Sequence, residues 1–318
     1  MSEAGATLGR GFGHGKLVLV GEHAVVYGHP AVAAGISAGV TVTARAGSGR
    51  ISVPAWGLQA TADDGSEVGR ALAAVVRRLE APALDFEGDA QIPSRAGLGS
   101  SAAMAVAVAR AAAEAAGRSP GDPAIVAAVG EAETVFHGNA SGVDAAAASS
   151  GRVGWFTRAE GWRPLAVAQA MRICVGLTGR NRDTAAQVSA VARLRDRLAT
   201  ADRMLTLLGE LAGEAATALG RGDVDGLGRT FDAAHGLLAG LRLSTPELET
   251  LVGAARAAGA VGAKLTGAGG GGAAIAIAPG HERDVIARWK AAGFAGFVAE
   301  IAASPTDASA ASISGGRS

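Results

Sequence analysis

The chain has 318 residues, of which 49% are hydrophobic, so it is long enough for one large or two ordinary domains with a substantial core. Its 29 Lys and Arg balance 29 Asp and Glu, and this zero formal charge gives no chain-wide attraction to nucleic acid or to an anionic membrane. No apolar run reaches the ~20 residues of a membrane helix, and the single cysteine excludes an internal disulfide framework, so we predict a cytoplasmic protein without nucleic-acid or membrane partners.

The first half of the chain mixes strand and helix patterns. After a polar, glycine-rich leader, short apolar runs with β-branched residues predict strands, and apolar residues at helical spacing predict helices. The predicted strands are 16–20, 31–44, 51–58 and 153–157. The predicted helices are 65–80, 100–116 and 123–137.

The second half has longer helical patterns. Predicted helices cover 185–219, 224–241, 246–259 and 281–292, and predicted strands cover 171–177, 273–278 and 296–301. A polar, turn-rich segment at 158–170 separates the two halves. We therefore predict an α+β protein with two domains, 1–165 and 166–303, and a small, polar tail at 304–318 that is expected to be disordered.

The first chemical signal is a glycine turn that leads directly into a predicted helix, IPSRAGLGSSA at 92–102. Successive backbone N–H groups and the positive end of the helix dipole suit such a turn to phosphate. An ordinary serine-capped loop is the alternative. The Walker A pattern does not apply to Gly15-Lys16, because Arg10 replaces its first glycine and Leu17 replaces its hydroxyl residue. The Rossmann pattern does not apply to the loop at 92–102, because no clear strand precedes that loop.

The second signal is EAETVFHGNASGVD at 131–144. Glu133 and His137 lie one helical turn apart, and the glycines at 138 and 142 then break the helix before Asp144. This arrangement favours one carboxylate for Mg²⁺ and another for the proton of a substrate hydroxyl, with a solvated helix end as the alternative. Zinc is less favoured because no HExxH pattern is present and the lone cysteine is remote.

Two further segments combine glycine with charged or polar residues. KLTGAGGGG at 264–272 lies between strand-like runs, so its glycines allow close approach to a ligand or another loop rather than forming a linker. GKLVLVGEHAVVYG at 15–28 places a lysine, a glutamate and a histidine around one strand. Taken singly, each of these three side chains is compatible with a structural role.

Together, these four segments resemble the GHMP kinase superfamily and are most similar to its mevalonate kinases. The segments GKLVLVGEHAVVYG, AGLGSSAA, HGNASGVD and KLTGAGGGG occur in the same order as in that family, from about residue 15 to residue 277. Three positions depart from the usual pattern: Ala140 replaces a proline, Arg95 lies in the phosphate loop, and Gly13-His14 precede Gly15-Lys16. None of these changes removes a side chain with a chemical role.

The resemblance implies a two-domain fold, with an N-terminal domain like the second domain of ribosomal protein S5 and a ferredoxin-like C-terminal domain. It implies Asp144 as the catalytic base and Lys16 beside it and the transferred phosphoryl group. It implies Glu133 and a loop serine, Ser101 rather than Ser100, as ligands of Mg²⁺, although the two hydroxyls cannot be separated from the sequence. The implied phosphate-binding residues are Gly97, Leu98, Gly99, Ser100, Ser101 and Ala102. The implied substrate-binding residues are Glu22, His23, Ser141, Arg182, Thr184, Gly267 and Ala268.

The implied reaction is the transfer of phosphate from ATP to the C5 hydroxyl of (R)-mevalonate. A carboxylate beside a lysine is a weak base but a good orienter of a hydroxyl, so both roles stay open for Asp144. Another small-molecule kinase of the superfamily, acting on phosphomevalonate or homoserine, and a ligand-binding relative without activity are the alternatives. The sequence leaves the oligomeric state open, and a homodimer is compatible with it.

Overall fold

The computed structural model describes residues 6–119, 121, 123–137, 142–180 and 183–304. The first part of the chain forms a seven-stranded sheet with order β4-β3-β5-β2-β6-β7, and β1 pairs with β2. Its strands are β1 Thr7–Val20, β2 Ala31–Ala46, β3 Arg50–Val53, β4 Leu58–Thr61, β5 Leu84–Ala90, β6 Val153–Thr157 and β7 Gly161–Pro164. Its helices are α1 Glu67–Arg78, α2 Ser100–Ala115, α3 Pro123–His137 and α4 Val143–Ser150.

The second part of the chain forms a four-stranded sheet with order β11-β8-β10-β9. Its strands are β8 Met171–Leu177, β9 Gly262–Thr266, β10 Ala273–Ile277 and β11 Ala295–Ile301. Its helices are α5 Thr184–Arg195, α6 Thr200–Arg221, α7 Val224–Gly240, α8 Pro246–Ala257 and α9 Glu282–Ala291. All neighbours in this sheet are antiparallel, and the order is that of a ferredoxin-like fold, so the predicted α+β class is confirmed.

Several predicted elements differ from the structure. The residues before Gly15 form most of β1 rather than a leader, and the strand predicted at 51–58 is two strands separated by a 3₁₀ turn at Pro54–Trp56, because proline cannot donate a ladder hydrogen bond. The helix predicted at 185–219 is divided into α5 and α6. Four elements, β5, β7, β9 and α4, were missed. Ser304, assigned to the tail, is buried and pairs with Val167, whereas 305–318 lie outside the described residues.

Glycines on one face of β1 allow this strand to pack directly on the backbone of α2. A Cβ atom on Gly9, Gly11 or Gly13 would lie 2.1, 2.0 or 2.0 Å from a carbonyl oxygen of α2. The three carbonyls belong to Ala111, Ala107 and Ala103, which are spaced one helical turn apart. Every second residue of β1 therefore lies against every fourth residue of α2. The two elements lie so close together that only small residues fit between them.

The two sheets meet along β1. The Val18 N–H donates to Thr266 Oγ1 of β9 at 3.2 Å, and the same hydroxyl donates to the Val18 carbonyl at 2.9 Å. The Glu300 N–H of β11 donates to Ser37 Oγ of β2 at 3.0 Å. Two paired strands of the first sheet, β1 and β2, are thus fixed to the second sheet by hydrogen bonds between side chains and backbone. Among the described helices, none has the length and apolarity required to span a membrane.

We expect Gly11→Ala to destabilise the protein by ~3 kcal/mol or more, because the new methyl group would overlap a backbone oxygen that cannot move without shifting α2. The measurement is the free energy of unfolding in urea. Gly253→Ala in α8 is the matched control, since a Cβ atom there meets nothing within 4 Å. This control should be stabilised by roughly 0.4–1 kcal/mol. Equal stability of Gly11→Ala and the wild type would contradict the proposed packing.

Candidate active site

A lysine of β1 and an aspartate of α4 form an ion pair at the centre of the site. Lys16 Nζ lies 2.9 Å from Asp144 Oδ1, and the two side chains are 5% and 30% exposed. Asp144 occupies the first turn of α4, which begins after Gly142 in a left-handed conformation at φ 82°. The helix dipole and the ammonium group therefore both favour a negative charge at this carboxylate, which still reaches solvent.

Glu133 of α3 is a second carboxylate close to this pair, but its environment is different. It is 3% exposed, and Glu133 Oε1 has no hydrogen-bond partner among the residues that the structure describes. Burial and then the negative charge of Asp144 raise the pKa of Glu133 from 4.5 to about 7, while Lys16 opposes this shift. One lysine therefore faces two carboxylates, and the more deeply buried carboxylate is incompletely neutralised.

The predicted phosphate loop adjoins Lys16. Gly97 and Gly99 have φ 84° and 72°, and Gly99 precedes α2 without a side chain that could cap its first N–H groups. The Lys16 N–H donates to the carbonyl of the buried Leu98 at 2.8 Å. A Cβ atom on Gly99 would lie 2.7 Å from Lys16 Cγ, so only glycine allows the lysine to pass here. The positive end of α2 and an ammonium group consequently lie side by side.

The turn after β1 brings Glu22 and His23 to the second sheet. Glu22 Oε1 forms an ion pair with Lys264 Nζ of β9, and both side chains are almost fully buried. His23 Nε2 lies 2.9 Å from the carbonyl oxygen of Ala268, in the loop that follows β9. The structure thus joins two of the four sequence segments, 15–28 and 264–272, at one point.

The glycine-rich loop after β9 is anchored on both sides. Five of its glycines have φ between 70° and 134°: Gly267, Gly269, Gly270, Gly271 and Gly272. A Cβ atom on Gly269 would lie 2.5 Å from the Leu243 carbonyl oxygen, and one on Gly270 would lie 2.4 Å from Gln187 Nε2. The loop therefore needs glycine both for its backbone conformation and for its close contacts.

Not every predicted site residue reaches this centre. Thr184 is the exposed first residue of α5, and within the described part of the chain no hydrogen bond or ion pair joins it to Lys16 or Asp144. Ser141 and Arg182 lie outside the described residues. Ser100 accepts a long hydrogen bond of 3.4 Å from the Arg95 N–H.

Lys264 was given no role from the sequence, although the structure buries it completely. A usable signal existed, since the segment GAKLT is otherwise apolar or small and occurs as a strand. A lysine inside a buried strand requires a carboxylate partner.

The residues around Glu133 fit Mg²⁺ better than a metal held by protein alone. In the described ranges, no group of three or more His, Cys, Asp and Glu side chains gathers into a metal site. Mg²⁺ commonly takes one or two carboxylates and completes its shell with water and substrate phosphates. Glu133 Oε1, which is buried and has no hydrogen-bond partner among the described residues, would suit such a cation.

Comparisons with known proteins agree over most of the chain. Residues 66–152 match the family model of the GHMP kinases N terminal domain, and residues 215–295 match that of the GHMP kinases C terminal domain. The mevalonate kinase of Aeropyrum pernix is 37% identical over 83% of this chain and 86% of its own length, and that of Methanothermobacter thermautotrophicus is 35% identical over 87% and 93%. The crystal structure of L. major mevalonate kinase in complex with R-mevalonate superimposes with a TM-score of 0.82 at 28% identity, covering 94% of this chain and 97% of that one.

We expect Glu133→Gln to stabilise the protein at pH 8 when Mg²⁺ and nucleotide are absent. The pKa of Glu133 is about 7 in the folded state and 4.5 in the unfolded state, so the folded state binds its proton more tightly. The wild type therefore loses stability as the pH rises from 4.5 to about 7. The gain of the variant should be small near pH 5 and reach roughly 1–3 kcal/mol at pH 8. Urea unfolding in EDTA at several pH values measures it. A gain that is independent of pH, or a loss at pH 8, would contradict the unpaired carboxylate.

Proposed function

This chain belongs to the GHMP kinase family of ATP-dependent kinases, and from that premise we propose that it phosphorylates the C5 hydroxyl of (R)-mevalonate, giving 5-phosphomevalonate and ADP. The observation that carries the proposal is the Lys16–Asp144 ion pair beside the uncapped start of α2. Phosphoryl transfer needs positioning and charge neutralisation more than covalent chemistry, and these groups supply both. The lone, buried Cys174 supports a reducing cytoplasm as the location.

In this proposal the phosphates of ATP lie on the loop that begins α2. The first N–H groups of α2, which Gly99 leaves uncapped, donate to phosphate oxygens together with those of the loop from Gly97 to Ala102. Glu133 and a loop serine, Ser101 or Ser100, would hold Mg²⁺. When bound, Mg²⁺ neutralises negative charge on the phosphates.

Lys16 and Asp144 divide the work at the acceptor. Lys16 stabilises the charge that develops between the β- and γ-phosphates, and its ion pair holds the Asp144 carboxylate in position. The Asp144 carboxylate accepts a hydrogen bond from the C5 hydroxyl and orients the hydroxyl oxygen toward the γ-phosphorus. A paired carboxylate is a weak base, so we propose that Asp144 receives the proton late, when the new P–O bond has made the oxygen acidic.

The mevalonate side of the site is proposed around the turn after β1. In this proposal His23, which is 5% exposed, and the backbone at Gly267 and Ala268 contact the substrate directly, while Glu22 acts through its neighbours because its carboxylate is paired with Lys264. The family resemblance also predicts substrate contacts on this side for Ser141, Arg182 and Thr184, and these contacts stay predictions.

The test is ADP release in a coupled assay with mevalonate, phosphomevalonate, homoserine and galactose as separate acceptors. We expect mevalonate to give the largest kcat/KM. A larger value for another acceptor would assign the chain to another kinase of the family. ATP binding without turnover of any acceptor would assign it to the relatives that bind ligands without activity.

We expect Asp144→Asn to lose most of kcat, by at least ~10²-fold, with little change in ATP affinity, because the change removes the acceptor for the hydroxyl proton and leaves the phosphate loop intact. Steady-state kinetics with varied ATP and mevalonate measure both. Asp225→Asn is the matched control, since Asp225 occupies the first turn of α7 and is exposed. Near-normal turnover of Asp144→Asn would eliminate the assigned role.

We expect Lys16→Met to lower kcat by at least ~10²-fold, the scale of losing one preorganised electrostatic partner. The control is Lys290→Met, which removes an exposed lysine in the last turn of α9 and should leave kcat unchanged. Thermal melts of both variants show whether the fold is retained. If Lys16→Met melts like the wild type and still turns over at a similar rate, Lys16 has no catalytic role.

A further inference from the structure

The turn that follows β1 has an unfavourable backbone conformation. His23 has φ 60° and ψ −41°, and the Ala24 N–H donates to the Glu22 carbonyl two residues earlier at 2.7 Å. A three-residue turn with positive φ at a side-chain-bearing residue is rare and strained. Surrounding contacts must therefore hold this turn in place.

Two of these contacts come from one short segment of the second sheet. Lys264 pairs with Glu22 on one side of the turn, and the Ala268 carbonyl oxygen lies 2.9 Å from His23 Nε2 on the other. Both anchors belong to the β9 strand and the loop that directly follows it. The position of the His23 side chain is thus determined by residues more than 240 positions away in the sequence, since 242 and 245 residues separate the two pairs.

The Glu22–Lys264 pair is poorly suited to a purely stabilising role. Lys264 Nζ also donates to its neighbour's carbonyl, that of Leu265, at 2.7 Å and lies 5.8 Å from the centre of the Phe231 ring. Glu22 Oε2, however, is buried without a hydrogen-bond partner among the described residues. The desolvation of two charges commonly offsets their attraction, so a buried pair with an unsatisfied oxygen adds little stability.

The pair is also unnecessary for joining the two sheets. Thr266, two residues from Lys264, already fixes β9 to β1 through two hydrogen bonds with Val18. These two bonds do not fix the turn beyond the end of β1, which contains Glu22 and His23.

We propose that Lys264 is a positioning residue for the acceptor: through Glu22 it holds the strained turn so that His23 and the Ala268 backbone together form the mevalonate side of the site. This inference rests on the proposed function. Lys264 does not touch the substrate, and its effect is confined to acceptor binding because the phosphate loop and Lys16 are held by other contacts.

The experiment compares four variants by thermal melting and by separate KM values for mevalonate and ATP. Lys264→Met should raise the KM for mevalonate at least ~10-fold and leave the KM for ATP within about twofold. The double variant Glu22→Gln/Lys264→Met removes the buried lone charge, so it should recover thermal stability while the KM for mevalonate stays raised. Glu22→Gln alone keeps an oxygen for Lys264 and should raise that KM by a smaller factor, at least ~3-fold.

The matched control is Thr266→Val, which keeps the side-chain shape and removes both hydrogen bonds to Val18. It should lower the melting temperature and leave the KM for mevalonate within about twofold of the wild type. The control thus separates loss of stability at the β1–β9 junction from loss of positioning.

Three results would overturn the proposal. A double variant with a wild-type KM for mevalonate would show that the pair is structural only, and equal increases in both KM values would show a general disturbance of the fold. If the variants with methionine fail to fold, an unchanged KM for mevalonate in Glu22→Gln overturns it instead. A wild-type enzyme that is inactive with mevalonate would refute the proposed function itself. If the wild type is active and the variants are unaffected, only the role of Lys264 is refuted.

Discussion

The rest of the site depends on how closely β1 can approach α2. Three glycines of the strand face an alanine-rich helix, and the backbone carbonyls of that helix occupy the space that side chains on the strand would otherwise take. Lys16 lies farther along the same strand, and the phosphate loop lies at the start of the same helix. The strand–helix separation consequently sets the distance between the ammonium group and the uncapped N–H groups of α2. Gly99 continues this requirement, because any side chain there would displace Lys16.

The charges around this junction are unequal in a way that assigns different chemistry to the two carboxylates. Asp144 has an ammonium partner, a helix N-terminus and access to solvent, so it suits a position facing a polar substrate. Glu133 is buried, its Oε1 has no hydrogen-bond partner among the described residues, and burial raises its pKa to about 7. A divalent cation would relieve this excess of negative charge, and so would a proton. The divergent environments of the two carboxylates are the usual sign of separate roles at a reaction centre.

The sequence predicted the family of this protein better than its local geometry. Helices with clear apolar periodicity, such as α1 and α3, were correctly located because burial of one face dominates their formation. The N-terminal part of β1 was missed because glycine is a poor strand former by itself, and only the opposing alanine helix makes Gly9, Gly11 and Gly13 favourable there. Lys264 was missed for a similar reason, since its partner Glu22 is adjacent only in the folded chain.

The residues of β1 and its turn lie outside both segments that match the family models, 66–152 and 215–295. Their involvement in the site is supported instead by direct contacts with residues inside those segments. Lys16 meets Asp144 of the N-terminal segment, whereas Glu22 and His23 meet Lys264 and Ala268 of the C-terminal one. One strand and its turn therefore connect the Lys16–Asp144 ion pair to the proposed acceptor side. The two ends are held by separate contacts: the Glu22–Lys264 pair is buried, whereas Asp144 of the Lys16–Asp144 pair reaches solvent. The role proposed for Lys264 therefore concerns acceptor binding and not the phosphate loop.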